Sequence, residues 1–228
     1  MLSEVMDRYH DHIQLWPGLT ASRIRRYAAA ITEYEPACID TWGFIDGTFR
    51  DIAKPEVDES SSYSRYEREH GQKYQGVLCP DGLFVSMDGP YVGSKNDLNL
   101  LDESTLQTKL APLVTQADGR QLQIYGDKAY RGQTIIMCPY ARFTSDPLER
   151  AYNKVMSGLR ISVETGFGKV TQYFSMTDMR RSMRSGLVPT ATYYLVSTLM
   201  TNVHTCMHGS NVPFSIAPPS VEEYLYRN

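Results

Sequence analysis

A change in the spacing of the hydrophobic residues along the chain, from that of a helix to that of a strand, constrains the fold most. The first forty residues have a helical period, and LTASRIRRYAAAI at 19–31 follows that period with Thr20 or Ser22 as a candidate cap. The two-residue period of a strand begins at Trp42 and continues through WGFIDGTFRDI at 42–52. A change from helices to strands inside one chain of this length predicts an α/β fold.

The later segments repeat the alternation of the two periods. Polar residues at 53–71 indicate a long loop or a poorly formed hairpin. The other predicted elements are strands at 73–79, 83–88 and 121–125, a helical run opened by Asp97 that continues to Val114, a long helix from Pro147 to Val170 and a last helix at 190–207. Glycines 158, 166 and 168 predict a bend or close packing in the long helix. A strand that follows a helical crossover pairs in parallel, so the sheet should be mixed.

Composition excludes several classes of protein. Hydrophobic residues make up 42% and charged residues 21% of the 228 residues, which is typical of a globular chain and not of a disordered or coiled-coil one. No apolar stretch approaches the length of a membrane span, and the charged first residues do not form a signal peptide. We therefore expect a soluble, intracellular protein without a membrane partner. Its four separated cysteines should be reduced and mostly buried.

The charges are unevenly distributed along the chain. The net charge is −3, which argues against a surface wrapped entirely by nucleic acid. The segment from Arg150 to Arg184 nevertheless has seven basic and two acidic residues, a net charge of +5. This segment predicts either a local positive face or a solvated helix face that is balanced elsewhere.

Four carboxylates stand where they would meet at one crevice. Asp46 lies mid-strand, Asp127 follows a strand's end, Asp97 begins a helix, and Glu164 follows the core residue Val163. Converging carboxylates repel one another without a cation, so the cluster predicts a hard divalent metal, magnesium or manganese rather than zinc. Three of the acids also have a structural interpretation: Asp97 as a helix cap, Asp127 as a turn residue and Glu164 as a surface glutamate. The HTCMH sequence at 204–208 lacks the further ligands of a zinc site.

Several motifs together resemble the PIF/Harbinger-type DDE transposase domain. They are GFIDGTFR at 43–50, HGQKYQGVLCPDGL at 70–83, GPYVGSKNDLNLL at 89–101, GDKAY at 126–130, RISVETGFGKV at 160–170 and LMTNVHTCMHGSNVPFSIAPPSVEEYL at 199–225. The resemblance implies an RNase H-like fold, a mixed sheet flanked by helices, compatible with the predicted order of elements. It places the family's catalytic, metal-binding acids on Asp46, Asp127 and Glu164, and a further recurrent acid, which supports the ligands or is an occasional metal ligand itself, on Asp97.

The resemblance also implies the chemistry. Two Mg²⁺ or Mn²⁺ ions held by the three acids would activate a water or a DNA 3′-hydroxyl for phosphodiester cleavage and strand transfer. Arg160, Lys169 and Lys154 would bind backbone phosphates of the DNA. Phe49 replaces a histidine common after the DGT sequence, and VET at 163–165 replaces the frequent VER.

The resemblance divides the chain into three parts. Residues 1–40 would be the helical segment that joins a missing helix-turn-helix, 41–212 the catalytic domain and 213–228 a C-terminal tail. Sequence-specific recognition would then need a separate DNA-reading partner, in the nucleus as the family implies and otherwise in the cytoplasm, with a homo-oligomer as a further expectation. The isolated chain should be a weak nuclease or inactive alone. Two alternatives remain open: a truncated or host-adopted descendant that binds DNA or protein without catalysis, and a hydrolase of small phosphates.

Overall fold

A six-stranded mixed sheet forms the centre of the molecule. The structure is a computed structural model, and it describes residues 2–54, 62–178 and 189–226. The strands are β1 (Thr41–Asp51), β2 (Tyr63–Ser64), β3 (Glu69–Leu78), β4 (Phe84–Val92), β5 (Gln123–Tyr125) and β6 (Ile136–Met137). The helices are α1 (Leu2–Gln14), α2 (Ala21–Tyr34), α3 (Asp97–Ser104), α4 (Leu106–Val114), α5 (Pro147–Tyr173), α6 (Thr190–His208) and α7 (Val221–Tyr226), with short 3-10 turns at Lys128–Tyr130 and Ser175–Asp178.

The sheet contains both kinds of strand pairing. Its main order is β4-β3-β1-β5-β6, and β2 pairs with the first residues of β3. β3 is antiparallel to both β1 and β4, whereas β1, β5 and β6 are parallel. The predicted α/β fold with a mixed sheet flanked by helices is therefore confirmed. The short strand β6 was not predicted, and the polar segment 53–71 contains β2 in its described part.

The alternation of β1 places its side chains on two faces of the sheet. Asp46 pairs with Gly76 of β3, and Gly47 pairs with Gln75. Because neighbouring residues of a strand point to opposite faces, the side chain of Asp46 and the α-hydrogens of Gly47 face opposite sides. The helices α5 and α6 cover the Asp46 side, where the ring centroid of Tyr74 lies 4.5 Å from that of Tyr194 of α6.

The predicted helical run after Asp97 is broken. Asn96 caps α3 by accepting a hydrogen bond from the backbone N–H of Asn99 at 2.9 Å, and Asp97 is the first helical residue. Thr105 then adopts a left-handed conformation with a φ of 55°, which ends α3 before α4 begins at Leu106. One continuous helix was the wrong prediction because no glycine or proline marks the break. The two helices still make the crossover that lets β5 pair in parallel with β1.

The long helix α5 packs closely on the sheet through two glycines. Asp146 caps the helix, and Pro147 occupies its first turn. A Cβ atom on Gly166 would lie 2.9 Å from Cζ of Phe84, and one on Gly76 would lie 2.9 Å from Cε1 of Phe167. The rings of these two phenylalanines stack with their centroids 5.1 Å apart. The close packing predicted at Gly166 is therefore confirmed.

The other two glycines of α5 do not match the prediction. A Cβ atom on Gly158 or on Gly168 would meet nothing within 4 Å, so neither glycine is required by packing. The helix continues through both positions. Intrinsic propensity is therefore outweighed here by the buried face of the helix.

The ends of the described chain join the same core. Thr20 caps α2, as predicted, and accepts a hydrogen bond from the backbone N–H of Arg23. The segment after residue 213 contains a helix, α7, that the sequence did not predict. The indole N–H of Trp16 donates to the carbonyl of Tyr224 at 2.9 Å, and Asn202 donates to the Tyr224 hydroxyl at 2.9 Å. The buried core thus extends from Ile13 to Tyr224.

Two composition-based expectations can be compared with the described residues. All four cysteines are free, with Cys38 and Cys79 buried and Cys138 and Cys206 partly buried. No helix within the described ranges has the length and apolar character needed to cross a membrane.

Candidate active site

Asp46 and Glu164 are joined by one arginine. Arg160 lies one helical turn before Glu164 on α5, and its guanidinium contacts Oδ2 of Asp46 at 2.6 Å and Oε1 of Glu164 at 3.0 Å. The strand β1 and the helix α5 therefore direct two carboxylates towards one point. The sequence predicted Arg160 as a phosphate contact and did not indicate this bridge. Helical spacing shows which residues of α5 are neighbours on the helix, but it does not show which residues of a strand they contact.

Burial shifts the pKa of Asp46. Loss of solvent raises the pKa of its carboxyl group to about 6. The positive charge of Arg160 and the hydrogen bond from the N–H of Gly47 act in the opposite direction, because both favour the ionised form. The negative charges of Asp127 and Glu164 raise the pKa of Asp46 further. Asp127 and Glu164 are therefore each near enough to Asp46 to interact with it electrostatically. A buried carboxyl beside other carboxylates is an arrangement found often at functional sites.

Asp127 lies where β5 ends beside β1. Phe44 of β1 pairs with Tyr125 of the parallel strand β5. Asp46 lies two residues after Phe44 and Asp127 two residues after Tyr125, so the two acids occupy equivalent positions relative to this pair. Oδ1 of Asp127 accepts a hydrogen bond from the backbone N–H of Ala129 at 2.5 Å and caps the 3-10 turn. The turn interaction that the sequence left open is thus present. It engages one carboxylate oxygen and so does not by itself prevent the other from binding a cation.

Asp97 approaches β1 from the other side. Its Oδ1 atom would lie 2.7 Å from a Cβ atom on Gly47, and it lies 3.5 Å from Nζ of Lys73. Since Gly47 faces away from Asp46, the structure does not bring the carboxylate of Asp97 into the bridge formed by Arg160. The residue is engaged in an ion pair, and its part in metal binding stays a prediction.

Tyr130 and Gln75 belong to the surroundings of the acids, and the sequence did not single them out. Nε2 of Gln75 donates to the hydroxyl of Tyr130 at 3.0 Å and to the carbonyl of Asp97 at 3.1 Å. Burial raises the pKa of Tyr130, and the charges of Asp97, Asp46 and Asp127 raise it further. Tyr130 is therefore a neutral hydroxyl among the acids. Its position at the end of the GDKAY motif was the available signal.

The predicted phosphate contacts do not share one face of α5. Arg160 and Lys169 are nine residues apart, which is about 180° around an ideal helix. Lys169 is half-buried and lines a pocket of about 250 Å³ between α5 and residues 210–213, and burial lowers its pKa. Lys154 is exposed one and a half turns before Arg160. Arg180, Arg181 and Arg184, which complete the basic segment, lie outside the described residues.

Oxygen donors supplied by three acids suit a hard divalent cation. In the conformation described, however, the guanidinium of Arg160 lies between Asp46 and Glu164. Within 2–54, 62–178 and 189–226, no group of three or more His, Cys, Asp or Glu side chains is arranged to hold a metal ion. The donor chemistry fits Mg²⁺ or Mn²⁺, and a bound ion would compete with Arg160 for the same carboxylates.

The mixed α/β sheet flanked by helices is consistent with a nuclease domain of the DDE class. A family model described as DDE superfamily endonuclease matches residues 45–208, more than two thirds of the chain. The chain belongs to this family, whose members act on DNA and usually use divalent metals. No curated protein and no solved structure matches the chain significantly.

Proposed function

We propose that this chain is a metal-dependent DNA endonuclease of the PIF/Harbinger type in which Asp46, Asp127 and Glu164 form the catalytic centre. The bridge from Arg160 to Asp46 and Glu164 carries the proposal. Those two acids come from a strand and a helix far apart in sequence, yet they converge on one cation. The charge of Asp127 acts on Asp46 as well, which supports its assignment as the third acid.

Asp46, Asp127 and Glu164 would hold Mg²⁺ or Mn²⁺, with two ions as the family implies. A bound metal of this kind supplies an activated oxygen nucleophile and stabilises the leaving oxygen of the phosphodiester. The chain's own residues hold the negative charges in place. The turn after β5 fixes Asp127, and the packing of Gly166 against Phe84 fixes the height of Glu164 above the sheet.

Arg160 would have two successive partners. Without metal its guanidinium neutralises Asp46 and Glu164, which limits the repulsion between them. With Asp46 and Glu164 engaged by a metal, the guanidinium of Arg160 would instead be available to a phosphate of the DNA. Lys154 and Lys169 would bind other backbone phosphates. Because they lie on other flanks of α5, they would contact a different part of the DNA path.

Strand transfer, sequence-specific targeting and a nuclear location are further parts of the proposal. A basic helix contacts phosphates without reading bases, so target choice would need a separate DNA-reading partner protein. A homo-oligomer would also be compatible with this division of roles.

A non-catalytic descendant is the alternative function. The absence of a metal-binding arrangement among the described residues favours it, as do the engagement of Asp127 in a turn and of Asp97 with Lys73. Such a protein would bind DNA or protein through the same surface and leave the phosphodiester intact.

A plasmid-nicking assay distinguishes the two functions. We expect weak, non-specific nicking by the isolated chain in Mg²⁺ or Mn²⁺ and none in the presence of a chelator, because the acids need the ion to act. Nicking that persists with the chelator would contradict the proposal. An absence of nicking in Mg²⁺ or Mn²⁺, even with an added DNA-reading partner, would favour the non-catalytic alternative.

A further inference from the structure

Three large apolar side chains are exposed in the connection between β6 and α5 and in the first turn of α5. Phe143 is 90% exposed, Leu148 80% and Tyr140 48%. We call residues 139–148 the aromatic loop. Single exposed apolar side chains are ordinary, but three within nine residues leave an unusual amount of apolar surface exposed to water in one short segment.

Hydrogen bonds hold the first part of the aromatic loop in place. Asn153 of α5 accepts a bond from the backbone N–H of Tyr140 at 2.9 Å and donates to the Tyr140 carbonyl at 3.3 Å. The ring of Tyr140 packs edge-on against Tyr152, with the centroids 5.4 Å apart. This end of the loop is therefore anchored to α5.

The second part of the aromatic loop is anchored as well. The guanidinium of Arg150 donates to the carbonyls of Thr144 and Ser145 at 3.1 and 2.8 Å. The hydroxyl of Thr144 donates to the carboxylate of Glu149. Phe143 thus projects into solvent from a loop that is pinned on both sides, and its exposure does not result from a lack of local contacts.

The aromatic loop begins beside the catalytic acid Asp127. The N–H of Gly126 donates to the carbonyl of Met137 at 2.9 Å. Burial raises the pKa of Cys138 to about 11, and the charge of Asp127 contributes to the shift. Phe143 is five residues beyond Cys138, so it lies within about 18 Å of it. That distance corresponds to about five base steps of DNA.

One basic side chain contacts Phe143, and others flank the aromatic loop along the chain. The guanidinium of Arg142 lies over the Phe143 ring, 5.6 Å from its centroid. Lys128, Arg131 and Arg150 are exposed nearby along the chain. The two acids of the region are engaged locally, since Asp146 caps α5 and Glu149 accepts the hydroxyl of Thr144. An aromatic ring amid cations suits a base and its flanking phosphates.

We propose that the aromatic loop binds a DNA strand with unpaired bases, with Phe143 stacked on one base and Arg142, Arg131 and Lys128 at phosphates. This inference rests on the proposed function, because Asp127 places the loop beside the reacting strand. Bases inside a duplex are stacked on each other and offer no free face to a side chain. The ligand is therefore a single-stranded segment or an unpaired end next to the cleavage position.

The test measures binding of a fluorescent oligothymidylate by anisotropy in the presence of chelator, so that binding is separated from cleavage. Phe143→Ala should weaken binding at least about fivefold, because loss of one stacked base has at least that effect. Phe143→Tyr should retain wild-type affinity because its ring also stacks. Met207→Ala, at an exposed apolar residue of α6, should also match wild type.

Salt dependence identifies the role of each residue. Phe143→Ala should leave the slope of log affinity against log salt unchanged, whereas Arg142→Gln should reduce it by about 0.7. Equal affinity of Phe143→Ala and wild type would overturn the inference while leaving the proposed nuclease function intact. So would an unchanged affinity together with a loss of self-association in sedimentation, which would identify the loop as a contact between copies. A wild-type chain that binds no oligothymidylate would also overturn the inference, whereas metal-dependent plasmid nicking by the same chain would still support the proposed nuclease function.

Discussion

Replacing Asp127 by Asn is expected to abolish metal-dependent nicking, a loss of at least about 100-fold. Substitution of a residue that only supports a metal ligand lowers metal affinity or activity by about 10- to 100-fold. Removal of a charged ligand should therefore lower activity by at least the upper value. Asparagine keeps the shape of the side chain and caps a helical turn as well as aspartate does. The hydrogen bond to Ala129 should therefore remain, and the fold should be unchanged. The measurement is the nicking rate of both proteins at equal metal concentration.

Asp118 provides a matched control for this substitution. Its Oδ1 atom accepts a hydrogen bond from the backbone N–H two residues later, at Arg120, just as Asp127 does at Ala129. Asp118→Asn should therefore test the loss of a turn carboxylate outside the site and leave nicking unchanged. Equal nicking by Asp127→Asn and wild type would indicate a contaminating nuclease or another catalytic centre.

The second large effect is a difference in stability between two glycine substitutions in α5. Alanine at either Gly166 or Gly168 gains about 0.5–1 kcal/mol of helix propensity over glycine. At Gly168 the new Cβ meets nothing within 4 Å, so the full gain should appear. At Gly166 it would press on Phe84 and Leu78, and such overpacking costs about 1–3 kcal/mol. Urea unfolding should therefore find Gly166→Ala less stable than Gly168→Ala by about that amount.

The same pair also tests how Glu164 is positioned. If Gly166 sets the distance from α5 to the sheet, Gly166→Ala should lower nicking while Gly168→Ala retains it. Equal stability of the two variants would mean that α5 does not pack on Phe84 as described. A loss of nicking by Gly168→Ala without a loss of stability would instead indicate that Gly168 acts directly on DNA.

The elements that could be predicted are those whose own sequence carries the signal. The apolar positions of α5 repeat at helical spacing over more than twenty residues, and Pro147 marks its beginning. β1 alternates between two faces over its length. The mixed sheet followed from the order of these elements. Their long, regular patterns are supported by tertiary packing, so local propensity and fold agree.

The features that could not be predicted depend on contacts with distant residues. β6 has two residues and exists because it pairs with β5. α7 has six residues, too few for a stable helix alone, and its Tyr224 packs against Trp16 from the other end of the chain. The break at Thr105 puts a β-branched residue in a conformation that it rarely adopts.

The acids proposed for the site could be selected from the sequence, whereas their arrangement could not, and their catalytic roles stay a prediction. Asp46 stood out because an acid among apolar strand residues needs a partner, and the structure supplies Arg160. The face occupied by Asp97 depends on the register of Gly47, which only the folded sheet defines. Helical geometry predicts that Arg160 and Lys169 lie on opposite sides of α5. It does not predict which residues of the rest of the protein lie on each side.

Binding of Mn²⁺ by the wild type and by Asp46→Asn, measured by titration calorimetry, tests the central claim most directly. The titration belongs at about pH 7.5, more than a pH unit above the raised pKa of Asp46, so that its carboxylate is ionised. We expect the wild type to bind the ion and Asp46→Asn to bind it at least about tenfold more weakly, with circular dichroism showing both proteins folded. Equal affinity of the two proteins, or no binding by the wild type, would contradict a metal centre built on Asp46.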